Sequence, residues 1–374
     1  MKIYADNAAT TKLDMDAFEA MKPFMLDCYA NASQPYSFSR KAKKALKDAR
    51  KTIADCINCE PEEIIFTSGG TESDNWAIKN FALYEQSPHI ITSSIEHHAV
   101  LNSCESVRDY SDIKILSVDK YGFVSPNELE SVLSTLNKCT MVSIMLANNE
   151  IGTIQPIKKL AEIAHSYGAV FHTDAVQAVG HISVDVKELD VDMLSASAHK
   201  FNGPKGIGFL YCKKGTQIRP FHNGGSQEFG LRAGTENIPA IVGMAVALKN
   251  NIKRIEENKA YCLKLGSVLL EKLRNSHVDF VLNGHETTRL PGNVNISLKE
   301  KSGEALMHLL DLKGIMVSTG SACDSVNQQV SHVIKSIHVP PEYAKGTLRI
   351  SFSKDNTTED AEIIASTLVN FVSK

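Results

Sequence analysis

A chain of 374 residues with 43% hydrophobic and 22% charged side chains has the composition of a soluble globular protein, long enough for a sizeable core and two domains. Its formal net charge of −3 sets up no global field toward nucleic acid or an anionic membrane, so direct binding to either is not expected. No apolar run reaches the ~20 residues of a membrane span, and Met1-Lys2-Ile3-Tyr4-Ala5-Asp6 meets an acid before any signal-like apolar stretch.

Helical and strand-like patterns alternate along the chain, which predicts α/β architecture. Between residues 40 and 51, Arg40, Lys41, Lys43, Lys44, Lys47, Arg50 and Lys51 interleave with Ala42, Ala45, Leu46 and Ala49 at helical spacing. That reads as an amphipathic helix with a basic wet face, or more sharply as a docking patch for an acidic partner or RNA. Cys56-Ile57-Asn58-Cys59 is the one CxxC; with no second pair it reads as two ordinary cysteines at a helix end, and no metal is expected. Ile64 to Thr67 is a short strand, Ser68-Gly69-Gly70-Thr71 a turn, and Glu72 to Tyr84 a helix. His89 to Ser93 is the next strand, with a helix from about His98. A strand from Met141 to Ala147 ends in Asn148-Asn149-Glu150; a helix spans Ile157 to Tyr167, and Ala169 to His172 is a strand reaching Asp174. The apolar run Val191 to Leu194 leads into Ser195-Ala196-Ser197-Ala198-His199-Lys200, where a strand would turn Ser195, Ser197 and His199 to one face. Residues 239–275 form one or two long helices bridging to strands at 293–297 and 348–352 and a final helix from about Thr358.

Several residues in this order carry chemistry. In 68–71, glycines let backbone approach an anion at a helix N-terminus, which makes a phosphate cup; no Walker lysine and no G-x-G-x-x-G accompany it. Asp174, at the end of a parallel strand, either caps the next turn or holds a protonated heterocyclic nitrogen. His97 either stacks on a flat ring, relays a proton, or is an ordinary polar residue. Lys200 is either a solvated lysine at a strand end or, if buried and neutral, a Schiff-base nucleophile. Eight scattered cysteines without secretion signals suggest reduced thiols in a cytoplasm. Cys323, among small residues and before a polar stretch, would by composition sit inert in a loop.

Taken together, the chain resembles the cysteine desulfurases of the NifS/IscS type, within the class V aminotransferases of the fold-type I pyridoxal phosphate (PLP) enzymes. The matching motifs are Tyr4 to Thr11, Thr67 to Asn75, Glu96 to Val100, Asn148 to Gly152, Asp174 to Gln177, Ser197 to Lys200, Arg232 to Asn237, Gly320 to Cys323 and Leu348 to Ser351. The resemblance implies a large domain, 15–258, with a central mostly parallel seven-stranded sheet flanked by helices. It adds a smaller α+β domain, 259–374, that carries the catalytic cysteine loop, and an N-terminal segment, 1–14, packed with it. It implies a Schiff base between PLP and Lys200, with Gly70, Thr71, Ser197 and His199 on the phosphate and Thr235 reaching over from the other subunit of a homodimer. His97 would stack on the ring and join catalysis, Asp174 would pair with the ring nitrogen, and Gln177 would meet the phenolic oxygen. Asn149, at the cofactor, would share the substrate carboxylate with Arg349, whose planar fork suits that task. Cys323 would take sulfur from L-cysteine as a persulfide, release L-alanine, and pass the sulfur to an acceptor protein for iron–sulfur cluster assembly, tRNA thiolation or DNA sulfur modification. Another PLP enzyme on this scaffold, a selenocysteine lyase or an aminotransferase, would not need Cys323.

The chain departs from the family's usual pattern at Asp324, a carboxylate that disfavours a neighbouring thiolate, at Ser226 and Phe229, and in 31–36. Asp324, and a single closing helix after residue 353, lead to the expectation of a specialised acceptor rather than a general scaffold.

Overall fold

The computed structural model describes residues 2–136, 139–320 and 330–372. Its strands, in chain order, are β1 (Ile3–Tyr4), β2 (Ile64–Thr67), β3 (His89–Ser93), β4 (Asp112–Leu116), β5 (Thr140–Ser143), β6 (Val170–Asp174), β7 (Met193–Ser197) and β8 (Gly208–Cys212). They continue with β9 (Phe280–Leu282), β10 (Asn293–Leu298), β11 (Ile315–Met316) and β12 (Thr347–Ser351). Seven form one sheet in the order β2-β8-β7-β6-β5-β3-β4, parallel except for β8, which runs against both neighbours. Every residue of β2, β5, β7 and β8 is buried, as expected of strands covered on both faces. The sequence pattern therefore shows apolar runs rather than alternation. Because β3, β6 and β7 are parallel neighbours or near-neighbours, their C-terminal ends, at Ser93, Asp174 and Ser197, open on the same edge of the sheet.

Helix α1 (Met15–Leu26), capped by Asp14, and helix α2 (Arg40–Ile57) pack against the helix Ile238–Lys253. Helix α3 (Gly70–Tyr84) follows β2 and buries Ala77, Ile78 and Phe81 against the sheet. A second core gathers Ile3, Leu265, Leu269, Ile296, Ile350, Ile364 and Leu368. It belongs to the antiparallel sheet β12-β10-β9, the parallel pair β1-β11 and the helices Ile255–Asn275 and Thr358–Val372. The two cores meet at the 148–153 turn. There Asn293 and Asn295 donate to the Glu150 carbonyl, and Arg289 donates to that of Ile151.

Three elements differ from their sequence-based expectation. The strand expected over 141–147 is shorter, ending at Ser143: on the β3 side the Met145 N–H turns to the buried Glu96 carboxylate at 3.0 Å, while the Ile144 and Leu146 N–H groups still donate to the β6 carbonyls of His172 and Asp174 at 3.2 and 2.8 Å. The strand before the lysine ends at Ser197, and residues 198–200 form a 3-10 turn closed by Phe201 and Gly203 N–H groups on the Ala198 carbonyl. His199 is therefore not in the strand-face row of Ser195 and Ser197. The stretch 239–275 is two helices that meet at Arg254, within the one or two expected. Arg50 is not on the basic wet face of α2: it is buried, with its guanidinium on both oxygens of Glu228 at 2.6 and 2.8 Å.

Candidate active site

The N-terminus of α3 is built to receive an anion. Its first residue is Gly70 and its N-cap is Gly69, so no side chain caps the exposed N–H groups of the first turn. Glycine is required at position 70, where an added Cβ would stand 2.5 Å from Val176 Cγ2. Ser197, at the end of β7, faces the same turn: its Oγ would lie 3.4 Å from a Cβ at Gly69. Gly70, Thr71, Ser197 and His199 also line a cavity of about 240 Å³ that continues inward.

Lys200 lines that cavity. Its Nζ donates to the carbonyls of Ala8 and Ala9 at 2.6 and 2.9 Å, so the 8–9 segment holds the amine at the cavity wall. The 3-10 turn is fixed from behind, since His181 Nε2 lies 2.8 Å from the Lys200 carbonyl and Thr11 Oγ1 donates to that of His199 at 2.8 Å. His199 Nδ1 lies 3.1 Å from Thr10 Oγ1. Burial first, and then the charges of Lys200 and Lys205, push its imidazole down to about 4, so it is neutral at physiological pH.

Asp174 ends β6 and is buried. One oxygen accepts the Val176 N–H at 2.9 Å, so the local cap and the cavity-facing acid coexist in one residue. Burial raises its proton affinity, opposed by the Val176 N–H and by Lys200. Gln177 donates to the Ala8 carbonyl at 2.9 Å, the carbonyl that also accepts Lys200. His97 N-caps the helix His98–Ser106: its Nδ1 accepts the Ala99 N–H at 3.1 Å, which places the ring proton on Nε2. Arg349, from β12, enters from the second core and is buried. It donates to Asp6 at 2.7 Å and to the Asn149 carbonyl at 3.2 Å, while its Nε has no hydrogen-bond partner among the described residues. A buried guanidinium edge in this state is set to receive a further acceptor.

Ten of the twelve residues singled out in the sequence thus meet at one cavity: Gly70, Thr71, His97, Asn149, Asp174, Gln177, Ser197, His199, Lys200 and Arg349. Thr235 does not. It is exposed and does not line this cavity. Cys323, with its neighbour Asp324, lies outside the described residues. The cavity adds Asp74, Met145 and Val176, which sequence reasoning passed over. Asp74 was detectable in principle: it lies one turn after Gly70 on the stripe of Ala77, Ile78 and Phe81, where an acid has no bland explanation. Behind it, His172 lies between Ser143 and Ser195 at 2.9 and 3.0 Å and 3.7 Å from Asp74; burial pushes the imidazole down to about 3.

Sheet topology, anion cup, buried acid and lysine define a PLP enzyme of fold-type I, and the model of the family "Aminotransferase class-V" matches residues 3–364. The cysteine desulfurase IscS of Methanosarcina thermophila is 48% identical, over 100% of this chain and 92% of its own. Among solved structures, a NifS-like protein superposes with a TM-score of 0.93 at 36% identity, covering all of both chains. Another, described as SspA in complex with cysteine, gives 0.82 at 35%, covering 94% of this chain and 99% of its own. This chain belongs to the class V aminotransferases, in their cysteine desulfurase branch.

The residues present fit PLP. The uncapped, glycine-lined helix end suits a phosphate, the buried Asp174 suits a protonated ring nitrogen, and Lys200 is within the same wall for a Schiff base.

Proposed function

We propose that this chain converts L-cysteine to L-alanine with transfer of the substrate sulfur to Cys323, using the residues gathered at the cavity. When bound, PLP supplies an electron sink for charge developing at the substrate Cα. Arg349 and Asn149 bind the substrate carboxylate and fix the amino acid's direction. The buried Arg349 Nε, without a partner among the described residues, is the observation that carries this assignment. Lys200, once its amine is free, takes the Cα proton; the carbonyls of Ala8 and Ala9, which accept from that amine in the structure, keep it at the cavity wall. With PLP bound, Asp174 would keep positive charge on the ring nitrogen and Gln177 would meet the phenolic oxygen. His97, with its proton on Nε2, would stack on the ring and could donate that proton.

The Cys323 thiolate attacks the substrate sulfur. A sulfur–sulfur bond forms as the Cβ–sulfur bond breaks, and the carbon fragment is protonated and leaves as alanine. Among the described residues no cysteine lines the cavity, and burial pushes five thiols up to between about 11 and 12, too weakly ionised to compete. Cys28 and Cys139, the other two described cysteines, do not line it either, which supports Cys323 as the attacking thiol. The test is Cys323→Ala: it should keep the cofactor's visible band and lose alanine formation from cysteine.

A homodimer completes the reading, with Thr235 reaching the partner's cofactor phosphate. Its support is the exposure of seven large apolar side chains between Met15 and Phe38, more than an isolated chain normally leaves in one stretch, and of Thr235 itself. Two hydrophobic cores support a two-domain reading, with Leu290, Val333, Ile334 and Ile337 of the 259–374 segment packing into the first. The seven described cysteines are all free, which suits a reducing cytoplasm, and none of the described helices is long and apolar enough to cross a membrane. Asp324 beside the nucleophile favours an acceptor protein specialised for this enzyme.

A further inference from the structure

The cup at the start of α3 contains its own negative charge. Glu72 stands in the first turn of the helix, with its carboxylate lining the outer cavity that also carries Ser68, Gly70, Thr71 and Ser197. One of its oxygens accepts the Ser68 N–H at 2.7 Å, which fixes the turn. A carboxylate at that point opposes any phosphate placed on the same N–H groups. The chain answers with Arg232. Its Nε and Nη2 donate to the two Glu72 oxygens at 2.9 and 3.1 Å, and His222 Nδ1 lies 3.9 Å from the same group. The pair is only partly exposed, 23% for Arg232 and 8% for Glu72, so water screens it weakly. Burial alone raises the Glu72 carboxyl, but the hydrogen bonds from Arg232 and Ser68 more than offset it and the net shift is downward. Glu72 is therefore ionised and depends on its partner.

Arg232 is itself held by a braced loop. Four residues earlier, Glu228 adopts a positive φ of 47° and Phe229 one of 61°, conformations unfavourable to both. The cost is offset because the Glu228 carboxylate is clamped by Arg50 and also accepts the Phe66 N–H at 2.8 Å. Phe66 lies in β2, the strand that runs directly into the cup.

We propose that Arg232 is a positioning residue for cofactor retention: it masks the Glu72 carboxylate so that the 68–71 turn can hold a phosphate. This rests on the reading of that turn as the seat of the PLP phosphate. Without Arg232 the carboxylate remains, tied to Ser68 and unneutralised, against the bound phosphate. The role is electrostatic, so it predicts rescue by removal of the charge it masks.

The experiment dilutes holoenzyme into cofactor-free buffer containing inorganic phosphate as competitor and follows loss of bound PLP at its visible band. Arg232→Met should lose cofactor at least about tenfold faster than wild type and Arg232→Lys at an intermediate rate, while Glu72→Gln should be no faster than wild type. The double variant Arg232→Met/Glu72→Gln should return to within about threefold of wild type. If the double variant loses PLP as fast as Arg232→Met alone, Arg232 only braces the loop and the masking idea is wrong. Gly70→Ala separates the two layers. Unchanged cofactor release from that variant would remove the phosphate from this turn, and the inference with it, whatever Arg232 does.

Discussion

Arg349 illustrates how one side chain's unmet capacity defines a site. Two of its nitrogens are held by Asp6 and the Asn149 carbonyl, so the fork is already oriented, and Nε has no partner among the described residues. Arg349→Lys keeps the charge but loses the fork. The KM for cysteine should rise roughly tenfold or more, the value of a charge-assisted hydrogen bond, with the cofactor band unaltered; steady-state kinetics and an absorbance spectrum check both. Glu96 is a different case, a buried acid raised to about 8, chiefly by burial, with the hydrogen bonds from Ser93 and the Met145 N–H opposing. Because its folded value lies above the unfolded one, the folded chain holds the proton longer. Stability from this group is therefore intact at low pH and declines as pH rises from about 4.5 toward 8. Glu96→Gln should flatten that decline, which thermal melts between pH 5 and 8 would register. An unchanged pH slope would remove Glu96 as its source. Lys200, Asp174 and Arg349 were each legible in the sequence through residue type and place in a recognisable motif. Asp74 was not singled out, because a charged residue within a helix reads as solvated until the neighbours on its stripe are considered.

At the level of elements, the sequence was most reliable where a strand ran apolar and stopped at a turn residue, as at 64–67 and 89–93. It was weakest where tertiary bonds redirect the chain. Past Ser143 the β3 side of the ladder is diverted by Glu96, a residue far away in sequence, and the end of β7 is a 3-10 turn because the Ala198 carbonyl is shared by two later N–H groups. Arg50 shows the same limit: seven basic residues in one helix gave no sign that one of them turns inward to meet Glu228, 178 positions on. That pair joins α2, β2 and the 222–235 loop. Removing one partner of a buried ion pair costs about 3–5 kcal/mol, since the other is left uncompensated. Glu228→Ala should lower the chemical denaturation midpoint accordingly, whereas Lys44→Ala, on the exposed face of the same helix, should shift it little. Equal effects would contradict the difference in burial.

For the molecule as a whole, the fold class followed from the βα alternation and the motif order, while contacts far apart in sequence did not. Thr235, which the resemblance assigns to a partner's site, stands exposed, away from the cavity formed by its own chain. If the exposed apolar stretch at 15–38 forms the dimer contact, Leu26→Glu combined with Tyr29→Glu should shift the light-scattering mass from dimer to monomer and weaken cofactor retention. A fully active monomer would contradict the composite site. The central claim is that sulfur passes from cysteine to Cys323 at a cavity organised by Lys200 and Arg349. Its most direct test is intact-protein and peptide mass spectrometry after one turnover with L-cysteine in the absence of reductant. The account predicts one added sulfur on the peptide containing Cys323, formed together with alanine, and none in Cys323→Ala. Alanine production at the wild-type rate with no sulfur on Cys323, or with the sulfur on another cysteine, would contradict it.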